Sequence, residues 1–388
     1  MLIKSVAAVL LATLALGPAG DPYESAGADF TAAAERSTGQ GVRVALVSSG
    51  IAEIPALAGS VKARENLTGR SGTANIGGTA VATLIKRLAP GVSFLSAQVD
   101  LEPEDFPTTA AYDDWWKNKR PHQADSTAIR WAAEQSADVI VVETYWERPG
   151  SDMMAAVAEA TKRGAVVVAP APVCPAGWKC PGETYPAGLP GVIGVTPLTD
   201  KGEPTAPEYA AGAGGVLLAA PGRRTTLPGP GERLWELTGA PVSNAYVAAA
   251  AALVRSHAPE LRPGRVVESL LASARLPGAD GGWLDQDGYE HDDALGFGLV
   301  NPAGALEAAD RLTAAPPAAG LSPGSRFVAG PAGRIEAVRP DPLLTAGYGG
   351  LLAAGVGLLI VAGTLALATR RRRTSAPPPG PDAPSTTT

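Results

Sequence analysis

The 388-residue chain has only two cysteines and three histidines. Two thiols cannot build a disulfide scaffold or a four-thiolate zinc site, and three imidazoles argue against a histidine-rich metal enzyme. Charge is also sparse. Charged residues make up 18%, and 32 Lys and Arg against 38 Asp and Glu leave a net charge of −6. Without a basic excess, no nucleic-acid partner is expected. What the chain has in quantity is apolar residues, 45%, punctuated by 46 Gly and 36 Pro. Apolar runs persist between these turn formers, which excludes bulk disorder.

Two of the runs lie at the ends. Residues 1–19 read as a secretory signal peptide. Lys4 is its only charge, Val6–Leu16 is an apolar core, and Gly17-Pro18-Ala19 places small residues at a cut after Ala19. A short buried helix is the competing reading. Residues 347–368 carry no charge. At about 1.5 Å per residue they extend ~33 Å, enough for the ~30 Å hydrocarbon core of a bilayer. Arg370-Arg371-Arg372-Arg373 follows at once, and the positive-inside rule keeps it cytoplasmic. The expected layout is a signal peptide at 1–19, an extracytoplasmic domain at 20–313 and a Pro/Ala/Gly-rich linker at 314–342. One transmembrane helix at 347–368 and a basic cytoplasmic tail at 370–388 complete it. The protein is thus expected to be single-pass in the cell membrane, with its main domain outside.

Within the domain, short apolar runs alternate with amphipathic segments. Gly41–Val47, Val92–Val99, Asp138–Val142, Gly164–Ala169, Val192–Val195 and Gly215–Ala219 read as buried strands. Ile76–Leu88, Ser126–Gln135, Met153–Lys162 and Pro263–Ser273 read as helices, and Asn244–Ser256 as an alanine-rich helix apolar enough to be internal. Continuous apolar strands alternating with helices predict an α/β fold: a parallel sheet with helices on both faces.

The order and spacing of several blocks resemble the subtilisin-like serine proteases, and are most similar to the mycosins, membrane-anchored subtilases of type VII secretion systems. The blocks are Gly41–Ile51, Gly77-Gly78-Thr79-Ala80-Val81-Ala82, Ala128–Val142, Val166–Ala169 with Tyr185-Pro186-Ala187 and Gly191–Val195, Ala219-Ala220-Pro221-Gly222, Gly239–Val254, and Gly296–Asn301. Together they run from Thr38 to Leu306.

The resemblance implies a Ser nucleophile, a His base, an Asp that orients it and an Asn oxyanion donor. Mapped onto this chain, the Asp position is Ser48, the His position Gly77, the Ser position Pro241 and the oxyanion position Val173. Glu143-Thr144-Tyr145 stands where the family pairs substrate. Proline at 241 removes the nucleophile together with a backbone N–H that would serve the oxyanion. Glycine, proline and valine at these places read as replacement by groups that merely fill space. None of His122, His257 and His291 precedes a Gly-Thr pair or opens an alanine-rich helix. Ser243 is the best substitute nucleophile, but an offset of two helical residues turns it about 200° from Pro241. Ser48 and Ser49 lack a nearby Lys in sequence.

Three further features stand out. Cys174 and Cys180 close a small exported loop and are expected to form a disulfide. Asp285, Asp287 and Glu290 lie in an acidic loop that falls short of a calcium-binding pattern, so a solvated loop is favoured over a calcium site. Trp115-Trp116 reads either as an exposed contact site or as a loop anchor. The expected function is that of a catalytically inactive subtilase, a binding or structural component of a membrane or secretion complex. The alternative is an active membrane-anchored serine endopeptidase with relocated catalytic residues.

Overall fold

A computed structural model describes residues 22–121, 123–146, 148, 150–171, 184–205, 215–277, 283–285, 289–292, 294–314, 355 and 361–364. Contacts divide the chain into two units, 1–329 and 330–388. In the second unit the described residues are residue 355 and residues 361–364, all helical. The expected signal peptide at 1–19, nearly all of the linker at 314–342 and most of the span expected at 347–368 lie outside the described residues. Among the described residues no helix is long and apolar enough to cross a membrane.

The first unit is built on seven strands: β1 (Arg43–Ser48), β2 (Val61–Asn66), β3 (Ser93–Gln98), β4 (Val139–Val142), β5 (Val166–Pro170), β6 (Val192–Leu198) and β7 (Val216–Pro221). They lie in the order β2-β3-β1-β4-β5-β6-β7, and every pairing is parallel. Parallel strands need crossovers, and these put helices on both faces, which is why the central strands read as unbroken apolar runs. Alternation within each strand then sorts the side chains. Val44, Leu46, Val139, Val141, Val166 and Val168 face one core, whereas Ala45, Val47, Ile140, Val142 and Val167 face the other.

The helices are α1 (Pro22–Ala34), α2 (Ile76–Leu88), α3 (Thr109–Asp114), α4 (Ala124–Glu134), α5 (Ser151–Lys162), α6 (Ala240–His257), α7 (Pro263–Ala272) and α8 (Pro302–Ala314). The first core takes its helical side from α1, α2, α6, α7 and α8, and the second from α4 and α5. Helix α6 is buried from Val242 to Val254. A helix apolar on every side is stable only in the interior, and its alanines let neighbouring backbones approach. It begins four residues before the expected Asn244, because Pro241 fits a first helical turn.

The predicted elements are present with boundaries shifted by a few residues. Not anticipated were α1, the hairpin β8 (Thr225–Gly229) and β9 (Arg233–Leu237), helix α8, and edge strand β2. Strand β2 alternates half-buried with exposed positions, Lys62, Arg64 and Asn66 pointing out. A charged edge of this kind protects a sheet from further pairing and hides the strand from an apolar-run search.

Phe30 of α1 is fully buried and meets Tyr246 of α6 edge to face at 5.5 Å. Phe30→Ala is expected to lower stability by about 3–5 kcal/mol, read as a reduced urea midpoint at constant m value.

Candidate functional site

In open parallel sheets, ligand crevices lie beyond the carboxyl ends of the strands, where strand order reverses direction. Here that point is β1, flanked by β3 on one side and β4 on the other. Strand β1 ends at Ser48, and helix α2 starts against the turn that follows. A Cβ on Gly78 would lie 2.2 Å from the Gly50 carbonyl and 2.5 Å from Ser48 Oγ, so only glycine lets α2 dock there. Ser48 is 2% exposed, and its Oγ accepts a hydrogen bond from Gly50 N at 3.2 Å.

A carboxylate occupies the space beside Gly77. A Cβ at that residue would sit 2.9 Å from Glu102 Oε1. Glu102 comes from the segment after β3. Its Oε2 accepts from Ile76 N at 2.6 Å, and its Oε1 accepts from Gly77 N at 2.5 Å and from Ser49 Oγ at 2.9 Å. Ser49 Oγ in turn accepts from Gly78 N at 3.1 Å. Asp105 supports the arrangement by accepting from Glu102 N at 2.8 Å and Ala74 N at 2.6 Å. The first amides of α2 carry its positive end, and an anion is favoured there. Burial pushes the Glu102 carboxyl above the ordinary carboxylate range, partly offset by the Gly77 and Ile76 amides and the Ser49 hydroxyl. The space beside Gly77 is thus filled by a hydrogen-bonded acid reaching in from another loop.

The start of α6 is closed differently. Pro241 offers no N–H, and the amides of Val242 and Ser243 turn back to Gly239 O at 3.1 and 3.3 Å. Ser243 is fully buried, and its hydroxyl reaches Pro221 O at 2.9 Å and Ala220 O at 3.1 Å.

Next along the helix, the buried Asn244 donates through Nδ2 to Glu143 Oε1 at 3.2 Å. Its Oδ1 has no hydrogen-bond partner among the described residues. Glu143 keeps some accessible surface, but its carboxyl is enclosed deeply enough that burial raises its pKa to about 7, against a smaller lowering by Asn244.

The segment after β4 is tied down by Asp125, which is fully buried. Asp125 accepts from Arg120 Nη2 at 3.0 and 3.1 Å, from Trp146 Nε1 at 2.8 Å and from the Thr144 hydroxyl. The Trp146 N–H and C=O both pair with Tyr185 at 2.8 Å. Trp115 is buried, while Trp116 is 38% exposed with Arg120 stacked over its ring at 4.6 Å. One tryptophan anchors the loop and the other stays accessible.

The remaining candidates lie elsewhere or outside the described residues. His257 closes α6 and contacts Asp310 Oδ1 at 2.7 Å. His291 Nε2 lies 3.3 Å from Val216 O. His122, Val173, Cys174, Cys180 and Asp287 are outside the described residues. Asp285 accepts from Arg275 Nε at 2.9 Å, and Glu290 is exposed. Among the described residues no group of three His, Cys, Asp or Glu side chains could hold a metal ion. A serine and a carboxylate do converge, Ser49 on Glu102, but among the described residues no imidazole joins them.

The parallel sheet, with two helices starting at its carboxyl edge beside β1, is a subtilisin-like α/β fold. Solved structures agree. The chain is similar to MycP1 with its N-terminal propeptide removed (22% identity, TM-score 0.55, 71% of this chain and 94% of that one). It is also similar to the MycP3 protease of the type VII (ESX-3) secretion system (25%, 0.53, 72% and 86%). A third match is fervidolysin from Fervidobacterium pennivorans, a keratinolytic enzyme related to subtilisin (22%, 0.52, 71% and 44%). No family model matches the chain, and no curated protein does.

Two measurements probe this site. Glu102→Ala leaves the Ile76 and Gly77 amides without their acceptor and is expected to cost about 1–3 kcal/mol in urea unfolding. The second concerns pH. The folded pKa of Glu143 lies above its ordinary 4.5, so the folded state holds the proton longer than the unfolded chain. Its contribution to stability is then full below about pH 4.5 and lost as pH rises toward 7. Asp29 and Asp100, both raised to about 6 by burial, act in the same direction. Glu143→Gln is expected to match the parent at pH 4.5 and exceed it by about 1–3 kcal/mol at pH 8.

Proposed function

We propose that this chain is a catalytically inactive, mycosin-like pseudoprotease that works by binding, as a structural component of a membrane or type VII secretion complex. The observation that carries the reading is the Glu102 carboxylate bound to the first amides of α2, in the space beside Gly77 where the family's imidazole belongs. Ser48, Pro241 and Val173 at the other three positions agree with it. Losing one oxyanion donor costs ~10²–10³ in rate, and each triad member more, so little catalysis is left to such a site. In this proposal residues 347–368 anchor the domain at the outer face of the membrane, residues 370–388 stay in the cytoplasm, and Cys174 and Cys180 are joined as a disulfide.

The Ser49–Glu102 contact favours a second reading, a serine endopeptidase with relocated residues. Against it, Ser49 is 9% exposed and its Oγ already accepts from Gly78 N. A fluorophosphonate probe separates the two. The full-length protein is expected to stay unlabelled; labelling abolished by Ser49→Ala or Ser243→Ala establishes the enzyme instead. For the binding role, affinity capture from membranes in mild detergent is expected to recover stable stoichiometric partners, and recovery of the chain alone counts against it.

A further inference from the structure

In a chain of net charge −6, two lysines line one small cavity. It holds about 250 Å³ at the amino ends of β1, β2 and β3, the opposite edge of the sheet from Ser48 and Gly77. Lys86 comes from the last turn of α2 and Lys62 from β2. Lys62 is the extra residue of a bulge, since Val61 pairs with Phe94 and Ala63 with Leu95. Bulges re-aim side chains, and Lys62 lies close enough to Lys86 for the two charges to repel. Burial, and then Lys62, hold the Lys86 ammonium below the usual lysine range.

Among the described residues neither ammonium is paired with a carboxylate. Lys62 Nζ donates to Gly59 O and Lys86 Nζ to Val92 O, each at 2.8 Å, which leaves two N–H groups on each. Ser60 supplies a further donor. It lines the cavity at 8% exposure, and its hydroxyl has no hydrogen-bond partner among the described residues. A lysine that closes a helix suits the helix dipole. That accounts for Lys86 alone, not for a second lysine brought up to it or for an unpaired hydroxyl in the same cavity. The wall is firm: Gly91 N donates to Thr38 O at 2.7 Å, and a Cβ on Gly91 would lie 2.6 Å from Gln40 N. Donors carried on such a frame lose little freedom when a ligand binds.

We propose that this cavity binds a phosphate monoester group, with the Lys62 and Lys86 ammoniums and the Ser60 hydroxyl as its donors. Charge and size select it. A phosphate monoester carries about −1.5 to −2 at pH 7 and three acceptor oxygens, which matches two ammoniums and a hydroxyl. A carboxylate would leave one positive charge unbalanced. The volume lies below the ~300–1,000 Å³ that encloses a whole drug-sized ligand, so only the anionic head enters. Free phosphate and the headgroup of phosphatidic acid share this chemistry. The site is independent of whether the cleft at Gly77 is catalytic.

Calorimetric titration of the full-length protein in mild detergent tests it, with inorganic phosphate, dihexanoyl phosphatidic acid and dihexanoyl phosphatidylcholine as probes. Binding of at least one of the first two, and not of phosphatidylcholine, is the expected result. Tighter binding of phosphatidic acid assigns the site to a lipid headgroup, and equal or tighter binding of inorganic phosphate assigns it to free phosphate. Binding of neither, or equal binding of phosphatidylcholine, overturns the proposal. Lys62→Gln and Lys86→Gln are each expected to weaken binding about ten-fold or more, the worth of one hydrogen bond to a charged group. A double variant that binds as the parent does overturns it. Reductive methylation of the parent protein supplies a readout that needs no variant. The bound anion is expected to slow modification of Lys62 and Lys86 several-fold while the exposed Lys117 and Lys201 react as before. Equal rates with and without the anion at Lys62 and Lys86, or protection of all four alike, overturn the assignment.

Discussion

The first turn of α2 must press against the end of β1 and still find acceptors for its leading amides. The contact between Gly78 and Gly50 leaves no room for a side chain, so the helix cannot retreat into solvent to hydrate those groups. Glu102 meets the requirement from a loop more than twenty residues downstream, with Ser49 linking it back to β1. The turn after β1, the start of α2 and the segment after β3 are thereby joined at one carboxylate. The carboxyl edge of the sheet takes its shape from that junction.

Around the junction the protein keeps acids in places that disfavour their charge. Glu102, Asp100 and Glu143 are all shifted upward chiefly by burial. Each has a specific hydrogen-bond partner or a cation nearby: the α2 amides for Glu102, Arg120 for Asp100, Asn244 for Glu143. Perturbed acids in a cleft are often read as catalytic machinery. Here their geometry is that of helix caps and interloop ties. Glu143 and Asn244 connect β4 to α6 directly, next to Pro241, and Asp125 does the same for α4 and the Thr144–Trp146 segment.

The buried scaffold was legible in the sequence because unbroken apolar strands and helical periodicity are local signals. Strands β1 and β3–β7 and helix α6 stand out for that reason, and the ordered blocks from Gly41 to Asn301 point to the subtilisin-like fold. Elements with mixed polarity were less visible. Strand β2 alternates charged and half-buried residues, and α8 merges into a Pro- and Ala-rich stretch. At the site, the resemblance could single out Ser48, Gly77 and Pro241 by position, but the contacts around them could not be read. Glu102 acts through contacts with Ser49 and Gly77, which are distant in sequence. A signal did exist: an acid followed three residues later by Asp105 reads as a capping box, though one that caps its own short turn as well as a distant helix.

The pairing of Gly77 with Glu102 also has a historical side. An imidazole introduced at residue 77 would run into the carboxylate, while removing the carboxylate first would strand two amides and a hydroxyl. Either order of change passes through a damaged intermediate, so the two positions act as a ratchet. Descendants of such a chain can diversify the surface around the groove far more easily than they can exchange residue 77 for a larger side chain.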